Sequence, residues 1–350
     1  CIRDSSYPVL GLEAGKVYYY RLRAVNSTGQ SAFSNTMPVI TTPVALPATG
    51  VNMNSFTAKW QQVIGADSVI VEVSASPIFA NILSGYPKAI TTGNTEDLIG
   101  LTTLTDYYYR FRAKIGSTFS LYSNTINVKT LPAAPVAVAV PFGELTTSQT
   151  SFQARWGAVS GANAYYLDVL KENVFGSNIY TAVPTYTNLS TGISPTLNNG
   201  NINLVFLVGG AGIQAGKRYK YTVKAGNGTA ISVASNEIIV ATSTTKPKDL
   251  AATPATITGT DFTATWTAPT SGGATNYRVS LYELPALSIA TGYDNVDIGN
   301  VTTTAFTGLE GGKSYRLVLK AENTHSYSDT TRIDVTTTPE EPLALDANSI

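Results

Sequence analysis

Four segments of the chain share one frame: LEAGKVYYYRLRA, LTTLTDYYYRFRA, IQAGKRYKYTVKA and LEGGKSYRLVLKA. In each, an aliphatic residue (Leu12, Leu101, Ile213, Leu309) stands six before a Tyr (Tyr18, Tyr107, Tyr219, Tyr315), and an Ala (Ala24, Ala113, Ala225, Ala321) stands six after it. Self-similarity at a fixed period is the signature of a repeat architecture, in which each period folds as one structural unit. Each frame runs into a second shared tail, seen as FSNTMPVITT, YSNTINVKT, ASNEIIVATS and, less faithfully, YSDTTRIDVTTT.

Upstream, FTAKW, FQARW and FTATW place Phe56, Phe152 and Phe262 four residues before Trp60, Trp156 and Trp266. Apolar and polar residues alternate there with the period of a half-buried strand. A second alternating stretch follows each Trp: GADSVIVEV, GANAYYLDV and GATNYRVSL. Successive key tyrosines lie 89, 112 and 96 residues apart, close to the ~100 residues of an immunoglobulin-like sandwich of seven short strands.

These residues carry a family resemblance. The early-strand Trp together with the Leu-x-x-Gly-x-x-Tyr turn resembles the fibronectin type III domain over nearly the whole chain. The resemblance implies an all-β fold of tandem immunoglobulin-like β-sandwiches with Trp60, Trp156, Trp266, Tyr18, Tyr107, Tyr219 and Tyr315 in the cores. It also implies a tyrosine corner, in which the hydroxyl bonds to backbone upstream and fixes the crossover between sheets.

Gly15, Gly216 and Gly312 supply the turn before the Tyr, whereas Leu104 stands at that place in the second unit, so a turn of another kind is expected there. The third unit separates Trp156 from Tyr219 by 63 residues, against 47 and 49 in its neighbours, and the excess is placed at TLNNGNINLVFLVGGAG as a loop or extra hairpin.

Pro-containing, Thr-rich joints near TTPVALP, TLPAAP and TSTTKPK set the expected boundaries. Residues 1–42 read as the C-terminal part of a fibronectin type III domain. Residues 43–131, 132–243 (with the insertion) and 244–338 read as further domains, and 339–350 as the start of another.

Charge and cysteine exclude several classes. The 23 basic and 23 acidic side chains balance, leaving no net field to draw in nucleic acid or an anionic membrane. Cys1 is the only cysteine, so no disulfide forms within the chain. It matches the lipidated first residue of a bacterial lipoprotein, but the text after it enters the second half of a domain directly, which argues against an anchor. No apolar run approaches the ~20 residues of a membrane helix.

Catalysis needs a His, a tuned carboxylate pair or an activated Cys in a cleft. The single histidine, His325, is expected in a solvated loop, and dinucleotide, phosphate-loop and HExxH motifs are absent. No catalytic residue, metal ligand or cofactor is expected.

Basic side chains on the Tyr strands, namely Arg21 and Arg23, Arg110 and Arg112, Lys220 and Lys224, Arg316 and Lys320, alternate with buried positions and face outward. As a functional stripe they would grip an anionic polysaccharide by repeated weak contacts. As structure they would face Glu72 or Asp168 across the ladder. The fourth unit has Ser280 in place of that acid.

Among the tyrosine clusters only Tyr19 and Tyr108 are expected to be exposed, as a sugar-stacking surface. Asp294 and Asp297 read as calcium ligands or as plain exposed strand. Asp67-Ser68-Val69 and Asp329-Thr330-Thr331 are similar to O-glycosylation tripeptides of some bacterial secreted proteins.

The repeats resemble those of bacterial cell-surface and secreted proteins, often of type IX export. Two functions follow from that resemblance: an extracellular structural or adhesive array touching surface proteins, glycans or copies of itself, or the accessory spacer of a secreted hydrolase. Neither involves nucleic acid or membrane insertion.

Overall fold

A computed structural model describes residues 6–139, 148–174, 176–192, 203–271, 273–324 and 326–341. His325 lies outside them. Apart from two short 3-10 turns, the ordered elements among the described residues are strands, and none is a helix long and apolar enough to cross a membrane. By density of contacts the chain divides into two compact units: Cys1–Ala133 with Val159–Asn163 and Ala225–Val233, and Ala134–Ala158 with Ala164–Lys224 and Ala234–Ile350.

Three sandwiches recur with one topology. In the second period, Ala45–Thr49, Phe56–Trp60 and Thr95–Leu98 form one antiparallel sheet, while Asp106–Ile115 pairs with Ser68–Ser74, Thr118–Phe119 and Ile126–Lys129 in the other. The third repeats this with Ala137–Val138, Ser151–Gly157 and Asn203–Gly209 against a sheet built on Ala164–Glu172 and Arg218–Asn227. The fourth does so with Lys248–Ala252, Phe262–Thr267 and Thr303–Phe306 against Asn276–Glu283, Ser314–Glu322 and Thr331–Thr336. In the first period the described strands are Val17–Tyr20 paired with Met37–Ile40, and the short Val25–Asn26 and Gly29–Gln30 pair.

The alternation in sequence becomes alternation in burial. Asp106–Ile115 buries Tyr107, Tyr109, Phe111 and Ala113 on one face and turns Tyr108, Arg110 and Arg112 to the other. Aromatic rings bridge the two sheets: Phe56 lies 6.4 Å from Tyr107 and 6.0 Å from Tyr109, Phe152 lies 5.5 Å from Tyr219, and Trp266 meets Tyr277 edge-on at 5.5 Å. Trp60, Trp156 and Trp266 are all buried. Burying such rings is worth about 2–3 kcal/mol each, so in a chain without a disulfide this layer carries each sandwich.

In the third period one of the two expected forms of the insertion, the extra hairpin, is overturned. Asn203–Gly209 is the regular partner of Ser151–Gly157 rather than an extra hairpin. The added length falls before that strand and includes the 3-10 turn Pro184–Tyr186, whereas Leu189–Ser190, paired with Ala164–Glu172, has its counterpart in Val296–Asp297 of the fourth period. The TLNN part of the insertion lies outside the described residues. The Tyr186 hydroxyl holds this segment down, accepting from Gly209 N–H at 2.8 Å and donating to Gly209 C=O at 2.5 Å.

Candidate functional site

The feature repeated most faithfully is a hydrogen-bonded clamp around each key tyrosine. The hydroxyls of Tyr18, Tyr107, Tyr219 and Tyr315 accept from the backbone N–H five residues upstream, at 3.0, 2.9, 2.7 and 2.9 Å. A threonine 22 or 23 residues after each Tyr closes the same loop. Thr41, Thr130, Thr242 and Thr337 accept from Lys16, Thr105, Lys217 and Lys313 N–H and donate to Glu13, Thr102, Gln214 and Glu310 C=O at 2.6–2.7 Å. Tyr, turn and terminal strand are thereby tied at one point.

The turn itself is the same in every period. Gly15, Gly216 and Gly312 sit at φ +62°, +62° and +70°, and Leu104 adopts +51°. The expectation of a different turn at Leu104 is therefore corrected: a leucine takes the left-handed conformation that glycine adopts without strain, because Thr130 and Tyr107 fix the loop on both sides of it.

The shared tails add a second tie. Ala24, Ala113, Ala225 and Ala321 N–H groups each donate 2.9 Å to a serine hydroxyl seven residues on: Ser31, Ser120, Ser232 and Ser328. The Asn of the tail grips the opening strand of its own sandwich from both sides. Asn124 takes Ala45 N–H at 2.8 Å and returns a bond to its carbonyl at 3.1 Å, and Asn236 does the same to Ala137 at 2.9 and 3.0 Å.

The outward cations are largely engaged within the protein. Arg110 donates to Glu72 at 3.0 and 2.9 Å and lies between the rings of Phe79 and Tyr122, at 4.0 and 3.9 Å from their centroids. Tyr122 O–H donates to the other oxygen of Glu72. Arg112 stacks over Phe119 at 4.3 Å and Tyr122 at 5.0 Å, and its Nε is buried with no hydrogen-bond partner among the described residues. Arg21 and Arg23 share Phe33.

Further along, Lys224 pairs with Asp168 at 2.9 Å, Lys220 with Glu237 at 2.8 Å, and Arg316 with Asp334 at 2.8 Å. Arg316 holds the Asp334 carboxyl below its usual range. In the fourth sandwich, where Ser280 replaces the acid, Lys320 faces Arg278 across the ladder and lies 4.0 Å from the centre of the Tyr327 ring. Burial, and then Arg278, lower its pKa.

The expected exposure of Tyr19 and Tyr108, with the tyrosines alternating with them in the core, holds only in part. Tyr19 is 61% exposed but Tyr108 is half-buried, and Tyr20 is 50% exposed. Asp297 is occupied by protein donors, Gly299 N–H at 2.9 Å and Asn276 Nδ2 at 3.0 Å, with Arg278 nearby. No group of three or more His, Cys, Asp or Glu among the described residues is placed to hold a metal. An open groove of about 390 Å³ beside Gln62–Ala66 and Ile90–Gly93 is lined by no ionisable side chain.

Tyrosine-cornered two-sheet units in series define an array of tandem fibronectin-like β-sandwiches. Residues 245–337 match the fibronectin type III domain family. No curated protein matches the chain. Among solved structures, the chain is similar to the chicken CNTN1 FN1-FN3 domains at 14% identity, covering 85% of this chain and 98% of that one, with a TM-score of 0.32. It is likewise similar to a two-domain fibronectin type III segment of chicken tenascin at 19% identity, covering 59% and 99%, with a TM-score of 0.30.

Proposed function

We propose that the chain is a structural or adhesive spacer array of an extracellular, bacterial cell-surface or secreted protein, and that it does no chemistry of its own. The observation that supports this most directly is the fourfold clamp: the same Tyr and Thr bonds tie the terminal strand of each period to its loop, as a module selected for repetition rather than for one site would be. The strand cations support it too, since most are neutralised or stacked internally. Contacts with surface proteins, extracellular glycans or neighbouring copies would then be shallow and multiple, with avidity replacing single-site affinity.

Two measurements test the reading. The isolated chain is expected to show no saturable binding on a glycan panel. Placed between two reporter domains, the chain should hold them apart as an unrelated run of sandwiches of equal number does. Saturable sugar binding lost in Tyr19→Ala or Tyr108→Ala would refute the spacer reading and favour a carbohydrate-binding accessory region.

A further inference from the structure

The segment joining the third and fourth sandwiches is buried and polar. Thr242, Ser243 and Thr244 are all buried, as is Asn323 at 1% exposure, in the hairpin that follows Ser314–Glu322. Asn323 Nδ2 donates to Thr242 C=O at 2.8 Å, and the Ser326 hydroxyl donates to Ser243 Oγ at 3.1 Å. Asn323 is itself fixed, its Oδ1 taking Ser326 N–H at 2.9 Å and its N–H bonding to Ser326 C=O at 3.0 Å.

From the other side, Ser243 N–H donates to Ser148 C=O at 2.9 Å and Ser243 C=O accepts from Gly216 N–H at 3.0 Å, both in the third sandwich. Beyond it, Thr245 N–H donates to Ser271 Oγ at 3.0 Å and Thr331 Oγ1 donates to Pro247 C=O at 2.6 Å, both within reach of the fourth.

We propose that this joint couples the third and fourth sandwiches into one cooperative unit, with Asn323 and Ser326 as the key inserted into the linker. The physical ground is that buried polar groups lose a large part of their solvation and are tolerated only when paired. Opening the fourth sandwich withdraws Asn323 from Thr242, and Thr242 is also the clamp residue of the third sandwich. Disorder in one is therefore transmitted to the loop that closes the other. A joint of solvated linker residues would transmit nothing, because water would replace each bond at little cost. The inference does not depend on what the array binds or where it is displayed.

Native-state hydrogen exchange on the full chain tests it, because exchange reports the opening equilibrium segment by segment. In the unaltered protein, amides in 164–172 of the third sandwich and 314–322 of the fourth should open with one common equilibrium. Asn323→Ala leaves Thr242 C=O buried without its donor and should raise exchange in both segments by about tenfold or more. Ser326→Ala, a milder change that removes the hydroxyl link to Ser243, should raise both by a common factor of about threefold, which keeps the test usable if Asn323→Ala unfolds the fourth sandwich outright. A response confined to 314–322 in both variants, or distinct opening equilibria in the unaltered chain, overturns the coupling.

Discussion

Replacing the clamp tyrosines by phenylalanine one at a time removes a single oxygen from each of four near-identical sites. In Tyr107→Phe and Tyr315→Phe the ring stays in the core, but Thr102 and Glu310 N–H lose acceptors at 2.9 Å in part-buried surroundings. An unsatisfied donor in such a place costs about 1–3 kcal/mol, or roughly ten- to a hundredfold in the opening equilibrium. Tyr18 makes the same bond at 3.0 Å to an exposed Glu13 N–H, where water substitutes, so Tyr18→Phe should cost only a few tenths of a kcal/mol. Hydrogen exchange over 106–115, 314–322 and 17–20 reads the three sites within one chain. Equal losses are expected at Tyr107 and Tyr315 although one turn is built on Leu104 and the other on Gly312. A neutral Tyr107→Phe beside a costly Tyr315→Phe would show that the leucine turn does not deliver the bond, and would refute the claim that the four corners are equivalent.

Three further outcomes are expected. Gly312→Ala should destabilise the coupled third and fourth sandwiches by about 1 kcal/mol, because an added Cβ meets Pro339 Cα only at an ordinary 3.8 Å and the cost comes from φ +70°; calorimetry should show their common transition lowered by about 2–4 °C, and an unchanged transition would dismiss the strain argument. Asn124→Ala, which frees both backbone groups of Ala45, should cost about 1–2 kcal/mol in denaturant titration and expose Ala45–Thr49 first. Alkaline pH should loosen the third sandwich: burial pushes Tyr221 up to about 12 from 10, so its contribution is complete below pH 10 and is lost as pH climbs toward 12, a term of about 3 kcal/mol. Tyrosinate absorbance following the loss of folded signal checks it, and a denaturation midpoint constant to pH 12 would contradict it.

What the sequence disclosed and what it hid have a common cause. Period-2 alternation and aromatic spacing report on which face of a strand is buried, so the strands at Phe56–Trp60 or Ser314–Glu322 were readable from residue types alone. Side-chain bonds to backbone leave no such pattern. Ser120 and Asn124 in the tail SLYSNT look like ordinary polar residues of an exposed strand, yet one bonds Ala113 N–H and the other the backbone of Ala45, 79 residues away. Leu104 misled for a related reason: the turn conformation is imposed by Tyr107 and Thr130 from outside the loop, so local propensity for glycine was overridden. In the third period LVFLVGG was counted with the insertion, when its register with Ser151–Gly157 makes it the standard partner strand.

The outward charge stripe shows how the same residue types take different roles as their neighbours change. In the second sandwich Glu72 is buried, and its two oxygens are divided between Arg110 and Tyr122. Tyr122 then serves as a surface on which Arg112 stacks, so a single acid organises two cations through one ring. In the third, Asp168 lies at the matching place but takes Lys224, a residue farther along the strand, and also caps Asn188 N–H at 2.6 Å. In the fourth, Ser280 holds no charge and instead accepts Asn295 N–H at 2.9 Å, which leaves Lys320 opposite Arg278 with Tyr327 to shield it. A ligand-gripping stripe would require the same cation to project at the same place in each period. What recurs is engagement within the sheet, with whatever acid or ring the local register supplies, and under the proposed spacer function these positive side chains serve the fold rather than a continuous anion track.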